Sequence, residues 1–220
     1  MHIAVIMDGN RRYAKQNLLQ VILGHRKGVL SLEKLIELCP KYDIDTVTVY
    51  AFSTENFINR TLEEQNNLFK VMIEAARYYK RKLVGHNVRV KILGKLQKLP
   101  RELVDAVDSL VEATREETKV LLQVCLNYGG RSEIVEAVQK ALDSGEENIT
   151  EEIINKYLYS SLEPDLIIRP GGEFRLSNFL TWQSAYSELY FTETLWPNFG
   201  EPDLVKALDF YYSRQRRFGS

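Results

Sequence analysis

Six short runs, apolar for most of their length and separated by stretches of helical spacing, constrain this chain more than any other feature. They are Ile3 to Met7, Thr46 to Phe52, Val88 to Leu93, Val120 to Leu126, Asp165 to Arg169 and Glu188 to Phe191. All are too short for a helix to be the first reading, and several are rich in β-branched residues, so they read as strands. Between them apolar residues recur at the period of a helix. Val29, Leu32, Ile36 and Cys39 follow Gly24-His25-Arg26 and stop near Pro40, and a broad stripe including Leu68, Phe69, Met72, Ala76 and Tyr79 marks a long helix from Leu62 to Leu83. Pro100 to Glu117, the stretch after Arg131, Ile149 to Leu158 and Leu204 to Arg217 read as the remaining helices, with Asp143 to Asn148 a surface loop. Strands alternating with helices predict an α/β fold with a six-stranded, mostly parallel sheet flanked by helices. At 220 residues one domain spanning 1–220 has a substantial core, and a second would be cramped.

Composition narrows the function classes. The formal net charge is −1, so no global basic field draws the protein onto nucleic acid, and any anion site must be local. The longest apolar runs fall short of a membrane span, and the N-terminus lacks the succession of a secretory signal. Cys39 and Cys125 sit among apolar neighbours outside any CxxC pattern, which reads as buried free thiols in a reducing cytoplasm. His2, His25 and His86 lack metal-ligand spacing, which argues against zinc.

Polar residues collect where strands end. Asp8-Gly9-Asn10-Arg11-Arg12, Ser53-Thr54-Glu55-Asn56, Asn127-Tyr128-Gly129-Gly130-Arg131 and Arg169-Pro170-Gly171-Gly172-Glu173 each follow a predicted strand. In a parallel sheet all four share one rim, where such folds bind ligands. The first cluster sets a carboxylate, a glycine and several cations at a helix start, whose free N–H groups suit an anion. Asp8 does not suit a bare anion, but it suits a metal that the anion also binds, so the cluster points to a magnesium diphosphate. The plain alternative is an Asp-Gly turn, an Asn cap and ordinary exposed arginines. In the last cluster Arg169, Arg175 and Ser177 bracket a Gly-Gly turn, and two guanidinium forks with a hydroxyl can hold a diphosphate. Here the alternative is an Arg169–Glu173 ion pair around a tight turn.

The blocks MDGNRRYAK, GHRKG, YAFSTENF with Asn59-Arg60, NYGGR, IIRPGGEFRLSNFLTWQSAYSELYF, LWPNF and the closing RRFG occur in order from His2 to Gly219. In them the chain resembles the cis-prenyltransferases, the family of undecaprenyl and dehydrodolichyl diphosphate synthases. The resemblance implies magnesium-dependent condensation of isopentenyl diphosphate onto an allylic diphosphate such as farnesyl diphosphate, giving a long cis-polyprenyl diphosphate with no organic cofactor. It makes Asp8 the metal-linked catalytic carboxylate and gives Gly9, Asn10 and Arg12 to the allylic diphosphate. Arg169, Arg175 and Ser177 go to isopentenyl diphosphate, with Glu188 helping to hold metal, while Asn56 and Arg60 sit on a loop that closes over the substrates. The same blocks supply Arg11, Tyr13, His25, Ser53, Thr54, Glu55, Phe57 and Glu173 as further substrate-binding candidates. A homodimer is implied, with Arg217-Phe218-Gly219 reaching the partner's site, so Arg217 and Gly219 join the candidates. So does transient contact of a cytoplasmic protein with a bilayer surface, because the product is greasy.

The residue chemistry agrees with that assignment. Breaking a carbon–oxygen bond to release diphosphate builds negative charge that magnesium and arginines stabilise. The attacking alkene must then lose a proton, and Asp8, Asn56 and a diphosphate oxygen are all conceivable receivers. The long helix with Val29, Leu32 and Ile36 would wall an apolar tunnel, unless those residues are only core. Several positions depart from the family pattern: Val21 stands for an arginine, Phe57 for tryptophan, Phe174 for histidine, Asn198 for aspartate and Pro170 for threonine. Losing one charge-assisted hydrogen bond at Val21 should cost roughly 1.5–3 kcal/mol. These departures leave room for a short-chain or irregular prenyl diphosphate synthase. A catalytically silent partner subunit should have lost the carboxylate or the arginines, and this chain keeps both.

Overall fold

The computed structural model describes residues 1–214, with the side chains of 56, 57 and 59 outside the description. The six strands are β1 (His2–Ile6), β2 (Thr46–Ser53), β3 (Val88–Leu93), β4 (Val120–Tyr128), β5 (Leu166–Pro170) and β6 (Glu188–Thr192). They form one sheet in the order β3-β4-β2-β1-β5-β6. Every pairing is parallel, where the sequence pattern predicts a mostly parallel sheet. The helices are α1 (Asn10–Gln16), α2 (Val21–Leu38), α3 (Thr54–Asn59), α4 (Leu62–Leu83), α5 (Arg101–Ala113), α6 (Gly130–Asp143), α7 (Glu151–Tyr157) and α8 (Glu201–Ser213).

Alternation along each buried strand assigns its two faces. Ile3 and Val5 of β1, with Leu166 and Ile168 of β5, join the larger core beneath α2, α4, α5 and α8, whereas Ala4, Ile6 and Ile167 face a smaller cluster with Phe179 and Leu180. Both faces are covered, which is why these strands read as continuous apolar runs. From β1 the chain moves toward β2 and from β5 toward β6, in opposite directions along the sheet. The switch lies between β1 and β5, and ligands of such sheets bind just beyond strand ends at that point.

Four local readings differ from the structure. The polar stretch after β2 is the short helix α3, helix α2 starts at Val21 rather than near Gly24, and β4 continues through Asn127 and Tyr128. The helix after Pro100 ends at Ala113, short of Glu117.

Candidate active site

Asp8 follows β1 by two residues, and Gly9 turns the chain into α1. Gly9 has φ +106°, and a Cβ there would meet the Leu195 side chain at 2.9 Å and its backbone at 3.1 Å, so only glycine fits this turn. The turn is buttressed from LWPNF: the Trp196 N–H donates to the Asp8 carbonyl at 2.9 Å, and the Trp196 indole N–H donates to the Gly28 carbonyl at 2.9 Å. Helix α2 passes directly over the start of α1. A Cβ on Gly24 would come within 2.2 Å of the Asn10 carbonyl oxygen, and one on Gly28 within 2.3 Å of Asn10 Oδ1. The two glycines of GHRKG, four residues apart on one helix face, are therefore what lets the helices touch.

Two arginines from different parts of the chain hold the Asp8 carboxylate. Arg12 reaches Oδ1 at 3.1 Å and Arg169 reaches Oδ2 at 3.0 Å. Arg12 also donates to the Gly171 carbonyl. The Arg169 side chain is only 5% exposed. It donates to Ser177 Oγ at 2.8 Å and to the Arg175 carbonyl, while its Nε is buried without a protein partner. Arg169 therefore pairs with Asp8, not Glu173. Glu173 is taken by Arg175, whose side chain is 60% exposed.

A third cation group lies across the mouth. His25, Arg11 and Arg60 all line the cavity. Burial, and then the charges of Arg60 and Arg11, push the His25 imidazole down to about 4. Burial and Arg11 likewise hold Arg60 below its ordinary value. Arg11 is engaged by Glu64 at 2.9 Å. The sign of the His25 effect follows directly. The unfolded chain takes up this proton near pH 6.5 and the folded chain not until about pH 4, so folding stability is lost as pH falls through that window. Titrating His25 by NMR should show a neutral imidazole at pH 6 in the free protein. Inorganic diphosphate between the cations should raise its pKa, and an unperturbed value near 6.5 would contradict the geometry.

Below this rim opens a cavity of about 980 Å³. Its walls are the apolar faces of α2 (Val29, Leu32), α4 (Leu68, Met72, Ala76, Tyr79) and α5 (Val107, Leu110), against Val49, Val90 and Leu122 of the sheet. Ile36, expected in the wall, is core instead. Ser53, Glu55, Arg60 and Ser177 lie on the cavity lining, whereas Tyr13, Thr54, Glu173 and Arg175 do not. Asn56 is in α3 and Phe57 follows it, but their side chains lie outside the described residues, as do Arg217 and Gly219 entirely.

Glu188 is not brought to Asp8. It opens β6 level with Leu166, which is level with Ile3 at the opposite end of β1, and its carboxylate takes Arg214 Nε at 3.4 Å. Among the described residues no group of three or more His, Cys, Asp or Glu converges on a metal position. A single carboxylate beside arginines nevertheless suits magnesium, which keeps several waters and is held by one or two carboxylates plus the substrate's phosphates.

Asn178 escaped the sequence reading. It has φ +66°, next to Ser177 at +52° and two residues before Leu180 at +43°, so three of four successive non-glycine residues are left-handed, as functional loops often are. Its Nδ2 donates to Glu55 at 2.8 Å, and its Oδ1 accepts from the Arg131 N–H at 2.9 Å. It thus ties the ends of β2, β4 and β5 into one rim.

Residues 6–219 match a family model described as "Putative undecaprenyl diphosphate synthase". The chain belongs to the cis-prenyltransferase family. It is a transferase of prenyl groups, and the family is in general magnesium-dependent. Among relatives named isoprenyl transferase, one from Fusobacterium nucleatum is 43% identical over 99% of this chain and 95% of its own. Another from Heliobacterium mobile is 46% identical over 99% and 86%. Two solved cis-prenyltransferase structures cover all of the chain. Lavandulyl diphosphate synthase from Lavandula x intermedia, in complex with dimethylallyl diphosphate, superposes with a TM-score of 0.94 at 33% identity and 98% coverage of its own chain. A probable undecaprenyl diphosphate synthase from Campylobacter jejuni gives 0.87 at 30% identity and 98% coverage.

Proposed function

We propose that this protein, acting as a single catalytic domain, condenses isopentenyl diphosphate with an allylic diphosphate and releases diphosphate, lengthening a cis-prenyl chain. The observation that carries the reading is the Asp8 carboxylate between Arg12 and Arg169 at the mouth of an apolar cavity. One diphosphate fits between Arg12, the N–H groups at the start of α1, His25 and Arg60. The other fits Arg169, Ser177 and, after release from Glu173, Arg175. The hydrocarbon tail of the allylic partner would lie between α2, α4 and the sheet, where water is excluded and bond-breaking electrostatics are strongest. Asp8 would hold magnesium, which supplies charge neutralisation for the departing diphosphate. The Asp8 carboxylate, Asn56 and a diphosphate oxygen are the three groups that could accept the proton that the alkene loses.

The cavity volume favours a long product. The superposition with lavandulyl diphosphate synthase, together with Val21, supports a second reading as a short-chain or irregular synthase. Purified protein with magnesium, farnesyl diphosphate and radiolabelled isopentenyl diphosphate should give extended products by chromatography. With dimethylallyl diphosphate as primer instead, dominance of products of two or three isoprene units would select the second reading, and no prenyl diphosphate product from either primer would end both. A reducing cytoplasm is supported by Cys39 and Cys125, both free and buried. A homodimer rests on the family resemblance.

A further inference from the structure

The connector between α1 and α2 exposes what the rest of the chain buries. Leu18 is 95% exposed with φ +54°, and Leu19, Val21, Leu23 and Leu30 are also exposed. A left-handed leucine is strained, and an apolar side chain in water gains nothing that offsets the strain, whereas Asn or Gly would hold this turn without it. The patch borders the mouth. Val21 and Ile22 share a small cavity of about 250 Å³ with Arg11, His25 and Arg60, which also line the large one. Two residues to either side of Arg60 in sequence, Ile58 and Leu62 are each 77% exposed.

The charge of the segment that carries α1 and the first half of α2 is one-sided, although Glu63 and Glu64 of α4 line the small cavity beside it. Residues 9–32 hold Arg11, Arg12, Lys15, Arg26 and Lys27 and not one Asp or Glu, in a chain of net charge −1. Arg11 and Arg26 are paired with Glu64 and Glu74. Lys15 and Lys27 have no ion pair among the described residues. Apolar side chains interleaved with unpaired lysines are the pattern of a segment that lies in the headgroup region of an anionic membrane. We propose that this rim docks on an anionic lipid bilayer, with Leu18 and Leu19 entering the acyl boundary and Lys15 and Lys27 meeting lipid phosphates. The purpose of the contact rests on the proposed function, since a polyprenyl product leaving the neighbouring mouth would pass into lipid without crossing water. The contact itself needs no turnover to be measured.

The test is flotation of the full chain with vesicles of phosphatidylcholine alone and of phosphatidylcholine mixed with phosphatidylglycerol, at low and high salt. The protein should float with the anionic vesicles, and less so in pure phosphatidylcholine or in high salt. Leu18→Asn combined with Leu19→Ser should weaken this partition at least tenfold while the melting temperature holds or rises, because asparagine tolerates the left-handed turn. A parent that does not float, or a variant that floats equally well, overturns the proposal. So does a concentration-dependent self-association that the variant abolishes without any vesicle binding, which would make the patch a contact between copies. Condensation measured separately without vesicles decides the enzymatic reading, and its loss would leave the flotation result standing.

Discussion

Asp8→Ala is expected to lower turnover by roughly a thousandfold or more, the scale on which electrostatic stabilisation of a leaving group operates. It should also separate binding from chemistry. Without metal, Asp8 is the carboxylate that Arg12 and Arg169 hold at the mouth, so removing it leaves a more cationic site. The variant should therefore bind an allylic diphosphate in the absence of magnesium at least as tightly as the parent. Magnesium should then strengthen binding to the parent and not to the variant. Arg169 loses one partner but keeps Ser177 Oγ and the Arg175 carbonyl, so the fold should survive with a modest loss of stability, and Asp8→Asn, which keeps the shape, provides the control. Steady-state kinetics and calorimetry with and without magnesium check both halves. Turnover within tenfold of the parent would remove Asp8 from the chemistry.

The pairing behind that prediction joins residues 161 positions apart, and it was legible only through topology. Once the strands read as parallel, the ends of β1 and β5 had to share an edge, and Asp8 and Arg169 with them. The individual partners were not legible, because Arg169, Arg175, Glu173 and Asp8 could pair in several ways within a few ångströms. Glu188 shows the converse limit. It lies in a strand, as read, but at that strand's first residue, so a parallel sheet carries it to the end away from the site. Helix α3 was missed because Thr54 to Asn59 has no apolar stripe. The end of β4 was missed because Asn127 and Tyr128 look like turn residues, whereas Tyr128 is buried and donates to Glu133. The structure also gives reasons to motifs that resemblance alone marked: LWPNF props the Asp8 turn, and GHRKG supplies a smooth face for α1.

That smooth face is the basis of the second large effect. Gly24→Ala should destabilise the protein even though alanine favours a helix over glycine by about 1 kcal/mol. The new Cβ would lie 2.2 Å from the Asn10 carbonyl oxygen and 3.1 Å from Ala14 Cβ, and a backbone oxygen cannot rotate aside, so α1 must move off α2. Overpacking of this kind costs roughly 1–3 kcal/mol, enough to lower the melting temperature of a chain this size by about 2–12 °C. Gly28→Ala meets Asn10 Oδ1 at 2.3 Å, a side-chain atom, and Trp196 Cδ1 at 3.0 Å. Rotation of Asn10 can relieve the first contact, so the thermal penalty should be smaller than at Gly24. The loss at Gly28 should fall on activity instead, because Asn10 opens α1 and its Nδ2 holds the Met7 carbonyl at 3.1 Å, one residue before Asp8. Thermal unfolding and kinetics of the two variants side by side test that ranking. If Gly24→Ala melts no lower than Gly28→Ala, the close passage of α2 over the Asn10 backbone is not what positions the mouth.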